Sequence, residues 1–79
     1  MKKILLVDDS ALMRRVFSDI ILKDDRFTVA DEARNGKEAL ELLRKNQYDA
    51  VILDVNMPVM DGIELLRQLR AENIKARIL

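Results

Sequence analysis

The sequence predicts an α/β fold in which a parallel sheet carries helices on both faces. Three short apolar runs indicate buried strands, and a segment with helical periodicity follows each of them. Strands that alternate with helices form parallel sheets joined by right-handed crossovers. The chain has 79 residues, of which 49% are hydrophobic and 35% charged, so we expect one small globular domain.

Composition narrows the possible partners and chemistry. The 14 basic and 14 acidic side chains cancel, which argues against nucleic acid or an anionic membrane as a partner. Without cysteine there is no disulfide or thiol chemistry, and without histidine the commonest zinc ligand and general base are missing. The first apolar run is too short for a secretory signal or a membrane span, so we expect a cytoplasmic protein.

The first strand and helix occupy the N-terminal quarter of the chain. Ile4–Val7 is continuously apolar, as expected for a strand buried on both faces. Ser10 is expected to cap the following helix. The apolar stripe of that helix, which we expect in the core, consists of Leu12, Met13, Val16, Phe17, Ile20 and Ile21. Arg14 and Arg15 lie off the stripe and are predicted to be exposed.

Two further strands are expected. The second covers residues 27–33, with Phe27 and Val29 on one face and Ala33 as a further candidate for that face. The side chains of Asp31 and Glu32 in this strand are predicted to be solvated. Ala50–Leu53 is a third apolar run and forms the third buried strand.

Two further helices begin with the same capping pattern. Asn35 is the expected cap of the second helix, with Glu38 at the reciprocal position, and Asp61 and Glu64 play these roles in the third. The predicted apolar stripes are Ala39, Leu40, Leu42 and Leu43 in the second helix, and Ile63, Leu66 and Leu69, flanked by Leu65, in the third. Residues 75–79 look like the beginning of a fourth strand.

Three aspartates are expected to meet at one edge of the sheet. Asp8 and Asp9 follow the first strand, and Asp54 follows the third. In the flavodoxin-like strand order 2-1-3-4-5, strands one and three are neighbours at the switch point where ligands bind. Clustered carboxylates repel one another, so the three together favour a cation. A site made only of oxygen ligands favours a hard ion, namely Mg²⁺.

Such an ion suggests a division of labour among the three carboxylates. Mg²⁺ screens the charge that otherwise repels an incoming phosphoryl group. One carboxylate can then act as a nucleophile and form an acyl phosphate. Asp54 stands alone on its strand tip, whereas Asp8 and Asp9 are adjacent. We therefore expect Asp54 to attack and the adjacent pair to hold the metal.

The segments "ILLVDDSALMRR", "ARNGKEALELL" and "VILDVNMPVMDGIELL" resemble a response-regulator receiver domain. The resemblance implies a flavodoxin-like fold and a histidine kinase of a two-component system as partner. It implies that Asp54 is the phosphoacceptor and that Asp8, Asp9 and Asp54 contribute side-chain ligands to Mg²⁺. A further protein ligand of the family, a main-chain carbonyl two residues after the acceptor, corresponds to Asn56.

Within this family, "VDDSALMRR" and "DVNMPVMDGIELL" are most similar to the N-terminal receiver of chemotaxis protein-glutamate methylesterases. Residues 1–79 would cover about two-thirds of a complete receiver, ending at the start of the fourth strand. The family's switch Ser or Thr and its Lys would lie beyond Leu79. We therefore expect impaired phosphorylation, and we expect esterase activity to belong to a parent protein rather than to this chain.

Three alternatives compete with a phosphoacceptor module. A phosphatase of the haloacid-dehalogenase type needs a general acid where Asn56 stands, and a nucleotide binder would not place Asp8 and Asp9 against a phosphate. The third alternative is an engineered or proteolytic fragment that self-associates without phosphorylation activity. An open sheet edge would favour a homodimer through the third strand and the C-terminal side.

Overall fold

The computed structural model describes residues 1–54, 60 and 62–78. Its elements, in chain order, are β1 (Lys2–Val7), α1 (Ala11–Ile21), β2 (Phe27–Ala33), α2 (Gly36–Lys45), β3 (Ala50–Leu53) and α3 (Gly62–Ala71). The strands are parallel and lie in the order β2-β1-β3. The predicted flavodoxin-like α/β fold is therefore confirmed, with the first and third strands adjacent.

Side chains of the central strand β1 point alternately to two different helical layers. On one side, which we call the α2/α3 face, Leu5 and Val7 join a cluster with the buried leucines of α2 and α3. On the other side, the α1 face, Ile4 and Leu6 pack with Phe17 of α1. This alternation explains why β1 is continuously apolar, since both of its faces are covered.

The two faces are not equally covered, and the α1 stripe predicted as core stays largely exposed. Leu12 is 71% exposed and Ile20 is 56% exposed, and α1 contributes no fully buried residue. Phe17 and Ile21 make the contact with the sheet. Among the described residues α1 is the one helix on this face, so the outer part of its stripe meets no second apolar surface.

The buried side of α3 also differs from the predicted stripe. Gly62, Leu65 and Leu69 are buried, whereas Ile63 is 59% exposed and Leu66 is 42% exposed. Leu65 and Leu69 belong to the same core cluster as α2, against which α3 packs. Packing against α2 as well as the sheet therefore rotates the inward face of α3 by about one position.

A bulge in β2 changes which residues share a face. Val29 pairs with Ile4, but Asp31 pairs with Leu5, so Ala30 is an extra residue between them. After the bulge the strand has switched faces, and Ala33 lies in the α2/α3 core while Val29 lies on the α1 face. The prediction that Phe27 and Val29 share a face is therefore confirmed, whereas the assignment of Ala33 to that face is wrong.

The predicted helix caps are present at α1 and α2. The Ser10 hydroxyl accepts from the Met13 N–H at 3.2 Å, and the Asn35 side chain accepts from the Glu38 N–H at 2.9 Å. The Glu38 carboxylate accepts from the Arg34 N–H at 3.0 Å instead of returning to Asn35. The capping box therefore closes one residue earlier than the sequence predicts.

The segment after α3 returns to the sheet beside β3. The Val51 N–H donates to the Arg77 carbonyl at 2.8 Å, and Ile78 forms a parallel bridge with Val51. This bridge confirms the expected beginning of a fourth strand next to the third. None of the helices in the described ranges is both long and apolar enough to cross a bilayer.

Candidate functional site

The pairing of β1 with β3 brings two aspartates to the same edge of the sheet. Val7 and Leu53 are register partners, so the residues that follow them, Asp8 and Asp54, emerge side by side. The Asp54 N–H donates to the Val7 carbonyl at 3.0 Å, and the Asp8 N–H donates to the Ala33 carbonyl at 3.1 Å. Hydrogen bonds of the sheet therefore fix the main chain at both aspartates.

Asp8, Asp9 and Asp54 each place one carboxylate oxygen in a common cluster. These oxygens lie within 4.8 Å of one another. Asp8 is nearly buried, at 9% exposure, whereas Asp9 is exposed and Asp54 is half-buried. Opposite ligands of Mg²⁺ lie about 4.2 Å apart, because each Mg–O bond is about 2.1 Å long. The donor set and its spacing therefore fit one hard cation after small side-chain adjustments.

The orientation of Asp8 is set by two further hydrogen bonds. The Ser10 N–H donates to Asp8 Oδ1 at 2.9 Å, and Arg14 Nη1 donates to the Asp8 main-chain oxygen at 2.7 Å. Arg14 Nε also donates to Glu32 Oε1 at 3.1 Å. The Arg14 side chain is only 14% exposed, so the prediction of a solvated arginine is wrong here. Glu32, also predicted as a solvated charge, has Arg14 as a partner.

A cavity of about 410 Å³ opens beside the acidic cluster. Its mouth carries Asp8, Asp9 and Asp54, and its floor includes Phe17 and Ile52 from the α1 face. The cavity is thus acidic where the strands end and apolar beneath α1. Among the described residues, the cavity therefore lies on the less covered side of the sheet.

Gly36 holds the segment that precedes α3. Its N–H donates to the Met60 carbonyl at 3.0 Å. A Cβ at this position would lie 2.3 Å from the Met60 oxygen, far inside van der Waals contact. The close approach of the two main chains therefore requires glycine. We did not predict this contact, because its partner lies in a segment distant along the chain.

Four residues singled out in the sequence lie outside the described residues, namely Asn56, Met57, Pro58 and Asp61. The main-chain ligand role of Asn56 and the cap role of Asp61 therefore stay predictions. The structure does place Asp31, predicted as a solvated charge, against another side chain. The Tyr48 hydroxyl donates to Asp31 Oδ2 at 2.5 Å, beside the α2/α3 core and away from the acidic cluster.

Comparisons with known proteins agree on one family. Residues 4–79 match the family model described as the response regulator receiver domain. A protein-glutamate methylesterase/protein-glutamine glutaminase from Syntrophomonas wolfei is 47% identical over 68 residues, which cover 86% of this chain and 19% of that relative. The chain therefore spans about a fifth of the length of the curated relatives it matches.

Solved structures give the same result. The response regulator domain of Thermotoga maritima CheB superposes with a TM-score of 0.90 at 35% identity, covering 99% of this chain and 57% of that one. The T. maritima response regulator TrrA, solved with Mg(2+)-BeF, gives 0.85 at 37% identity, covering 99% and 66%. A complex of the CheA3 P1 domain with CheY6 from R. sphaeroides gives 0.79 at 38% identity, covering 98% and 60%.

Proposed function

The chain belongs to the response regulator receiver domain family, and from this membership we propose that Asp54 accepts a phosphoryl group while Asp8 and Asp9 hold Mg²⁺. The observation that supports the proposal most strongly is the convergence of the three carboxylates, whose oxygens lie within 4.8 Å of one another. The fold supports it as well, since parallel sheets bind ligands beyond the carboxyl ends of their strands.

The proposed reaction is a phosphoryl transfer to a carboxylate. An oxygen of Asp54 attacks the phosphorus atom of the donor, and the bond between phosphorus and the donor's leaving atom breaks. The leaving group departs with the electron pair of that bond, and the product is an acyl phosphate on Asp54. The main-chain bond from Asp54 N–H to Val7 keeps the attacking side chain at the strand tip.

Asp8 and Asp9 are the proposed metal ligands beside the attacking Asp54 carboxylate. When bound, Mg²⁺ supplies positive charge between the carboxylates and the phosphoryl oxygens. The bond from Ser10 N–H to Asp8 Oδ1 orients this carboxylate before any ion arrives. We propose Asp54 itself and the main-chain carbonyl of Asn56 as the further protein ligands.

The proposed phosphoryl donor is a histidine kinase, of a chemotaxis system or of another two-component system. The structural similarity to a receiver bound to a CheA3 P1 domain supports this class of partner. The methylesterase relatives support the chemotaxis assignment. Such a partner would place the chain in the cytoplasm. Methylesterase activity appears in the names of these relatives, and this chain covers about a fifth of their length.

Phosphorylation by a small donor tests the proposal. The chain is incubated with acetyl phosphate and MgCl₂, and its intact mass is followed over time. We expect slow and partial labelling, seen as a mass increase of one phosphoryl group that disappears with EDTA or with Asp54→Asn. The matched control is Asp25→Asn, which removes an exposed carboxylate remote from the carboxyl ends of the strands. This variant should be labelled like the wild type.

Labelling that persists in Asp54→Asn would show that another group accepts the phosphoryl. Equal labelling with and without Mg²⁺ would contradict the metal assignment. Absence of labelling with acetyl phosphate and with a chemotaxis kinase alike would contradict the proposed function of the chain.

Self-association through the third-strand side stays a second proposal. A groove of about 400 Å³ lies between α3 and the returning segment, and Leu66, Ile74 and Ile78 contribute apolar side chains to it. Together with the backbone of residues 76–78 it offers a surface for a second copy. Light scattering over a dilution series measures the mass, and a monomer at all micromolar concentrations would contradict the proposal.

A further inference from the structure

Arg14 connects three elements at the edge of the acidic cluster. It belongs to α1, donates to the Asp8 main-chain oxygen after β1 at 2.7 Å, and donates to Glu32 of β2 at 3.1 Å. Its side chain is 14% exposed, whereas the next residue, Arg15, is exposed. Two adjacent arginines of one helix therefore have different environments.

The contact with Asp8 controls the turn between β1 and α1. The Asp8 N–H is held by Ala33, its Oδ1 by the Ser10 N–H and its carbonyl by Arg14. Of these three partners of Asp8, Ala33 and Ser10 use main-chain atoms, and Arg14 uses its side chain. Because Asp8 and Asp9 share this turn, a change at the Asp8 carbonyl alters the direction of both carboxylates.

The charge of Arg14 and its hydrogen bond to Asp8 should have opposite effects on the affinity for Mg²⁺. A cation near the cluster repels a second cation, so charge alone would weaken metal binding. The Glu32 carboxylate forms an ion pair with the Arg14 guanidinium and offsets its charge. The repulsion is therefore reduced, while the hydrogen bond to the Asp8 carbonyl remains.

We infer that Arg14 is a positioning residue for Asp8 and Asp9 and that it increases the affinity of the site for Mg²⁺. The inference rests on the proposed function, since it concerns the same site. Outer residues of this kind typically change metal affinity by about tenfold or more. Arg14→Met should therefore bind Mg²⁺ about tenfold more weakly than the wild type.

The test is a Mg²⁺ titration of the 79-residue chain, followed by the amide shifts of Asp9 and Asp54 and by calorimetry. The variants are Arg14→Met, Arg14→Lys and the matched control Arg15→Met. Lysine keeps the charge but has a single donor nitrogen and no planar fork for the two acceptors, so the affinity of Arg14→Lys for Mg²⁺ should fall between those of the wild type and Arg14→Met. Arg15→Met should bind as the wild type does, within about twofold.

The outcomes separate the inference from the function. A wild-type chain that binds no Mg²⁺ contradicts the proposed function. A wild type that binds, with a folded Arg14→Met variant that binds equally or more tightly, overturns the positioning role alone. Should Arg14→Met fail to fold, Arg14→Lys decides, because equal affinity in that variant would show that charge without the fork is sufficient.

Discussion

The two faces of the sheet differ in how completely their helices cover them. On the α2/α3 face, nine of the described hydrophobic residues form one buried cluster. On the α1 face the corresponding cluster has three, namely Ile4, Leu6 and Ala50. Both faces share β1, so the same strand is packed on one side and only partly covered on the other.

This difference separates stability from access to the site. The α2/α3 face buries most of the apolar area and should supply most of the folding free energy. The α1 face leaves a cavity of about 410 Å³ between α1 and the strand tips, and the acidic cluster lines its mouth. Apolar periodicity predicts which side chains share a face of an element, but that face is buried only where a second apolar surface packs against it.

The largest effect should come from a leucine on the packed face. Leu65 of α3 is fully buried, at 0% exposure, whereas Leu12 of α1 is 71% exposed. Leu65→Ala should reduce the free energy of unfolding by about 2–5 kcal/mol, because it leaves a cavity in the core. Leu12→Ala should stay within about 0.5 kcal/mol of the wild type. Urea denaturation monitored by circular dichroism measures both.

An equal loss for the two leucine variants would show that the faces contribute alike. A larger loss for Leu12→Ala would reverse the comparison, since it would mean that the exposed stripe of α1 is covered in solution.

A smaller effect should come from the contact that joins the packed face to the segment after β3. Gly36→Ala would place a methyl group 2.3 Å from the Met60 carbonyl, so the two main chains must separate. We expect a loss of about 1–3 kcal/mol, as for overpacked sites, although alanine is the better helix former. Lys37→Ala, one residue further on and exposed, is the control and should change stability by less than about 0.5 kcal/mol.

Displacement of Met60 should also appear in its amide shift. A Gly36→Ala variant as stable as the wild type, with an unchanged Met60 amide, would contradict the close approach and leave the segment before α3 without this anchor.

The smallest effect concerns a titratable group, the Tyr48 phenol, at the edge of the packed face. Burial, together with the hydrogen bond to Asp31, raises the pKa of Tyr48 to about 12 from an ordinary value of 10.0. The fold therefore favours the neutral phenol. Its contribution to stability is complete below pH 10 and is lost as the pH rises through about 12.

Ultraviolet absorbance isolates this titration, because Tyr48 is the only tyrosine and the chain has no tryptophan. Asp31→Asn should lower the pKa of Tyr48, while burial keeps it above its ordinary value. Asp25→Asn, on an exposed loop, should leave the pKa where it is. An unchanged pKa in Asp31→Asn would show that the phenol and the carboxylate are not paired in solution.

Much of the fold could be predicted because local patterns determine it. The caps at Ser10 and Asn35 and the strand at Ala50–Leu53 follow from residue types within a few positions. The meeting of Asp8 with Asp54 follows from strand order, since parallel neighbours end at the same edge. These predictions needed no knowledge of packing.

The remaining features depend on distant partners or on single insertions. The bulge at Ala30 has no periodic signal, yet it moves Ala33 to the opposite face. Arg14 is off the apolar stripe of α1, and only the position of Glu32 in β2 shows that it turns inward. The buried side of α3 depends on α2, which periodicity within α3 cannot reveal.

The central claim is that Asp8, Asp9 and Asp54 form one Mg²⁺ site at the edge of the less covered face. The most direct measurement is a Mg²⁺ titration of wild type and Asp54→Asn, followed by backbone amide shifts. We expect saturable shifts confined to the carboxyl ends of β1 and β3, and a marked loss of Mg²⁺ affinity in Asp54→Asn. Shifts spread evenly over the surface, or an affinity that Asp54→Asn leaves unchanged, would contradict it.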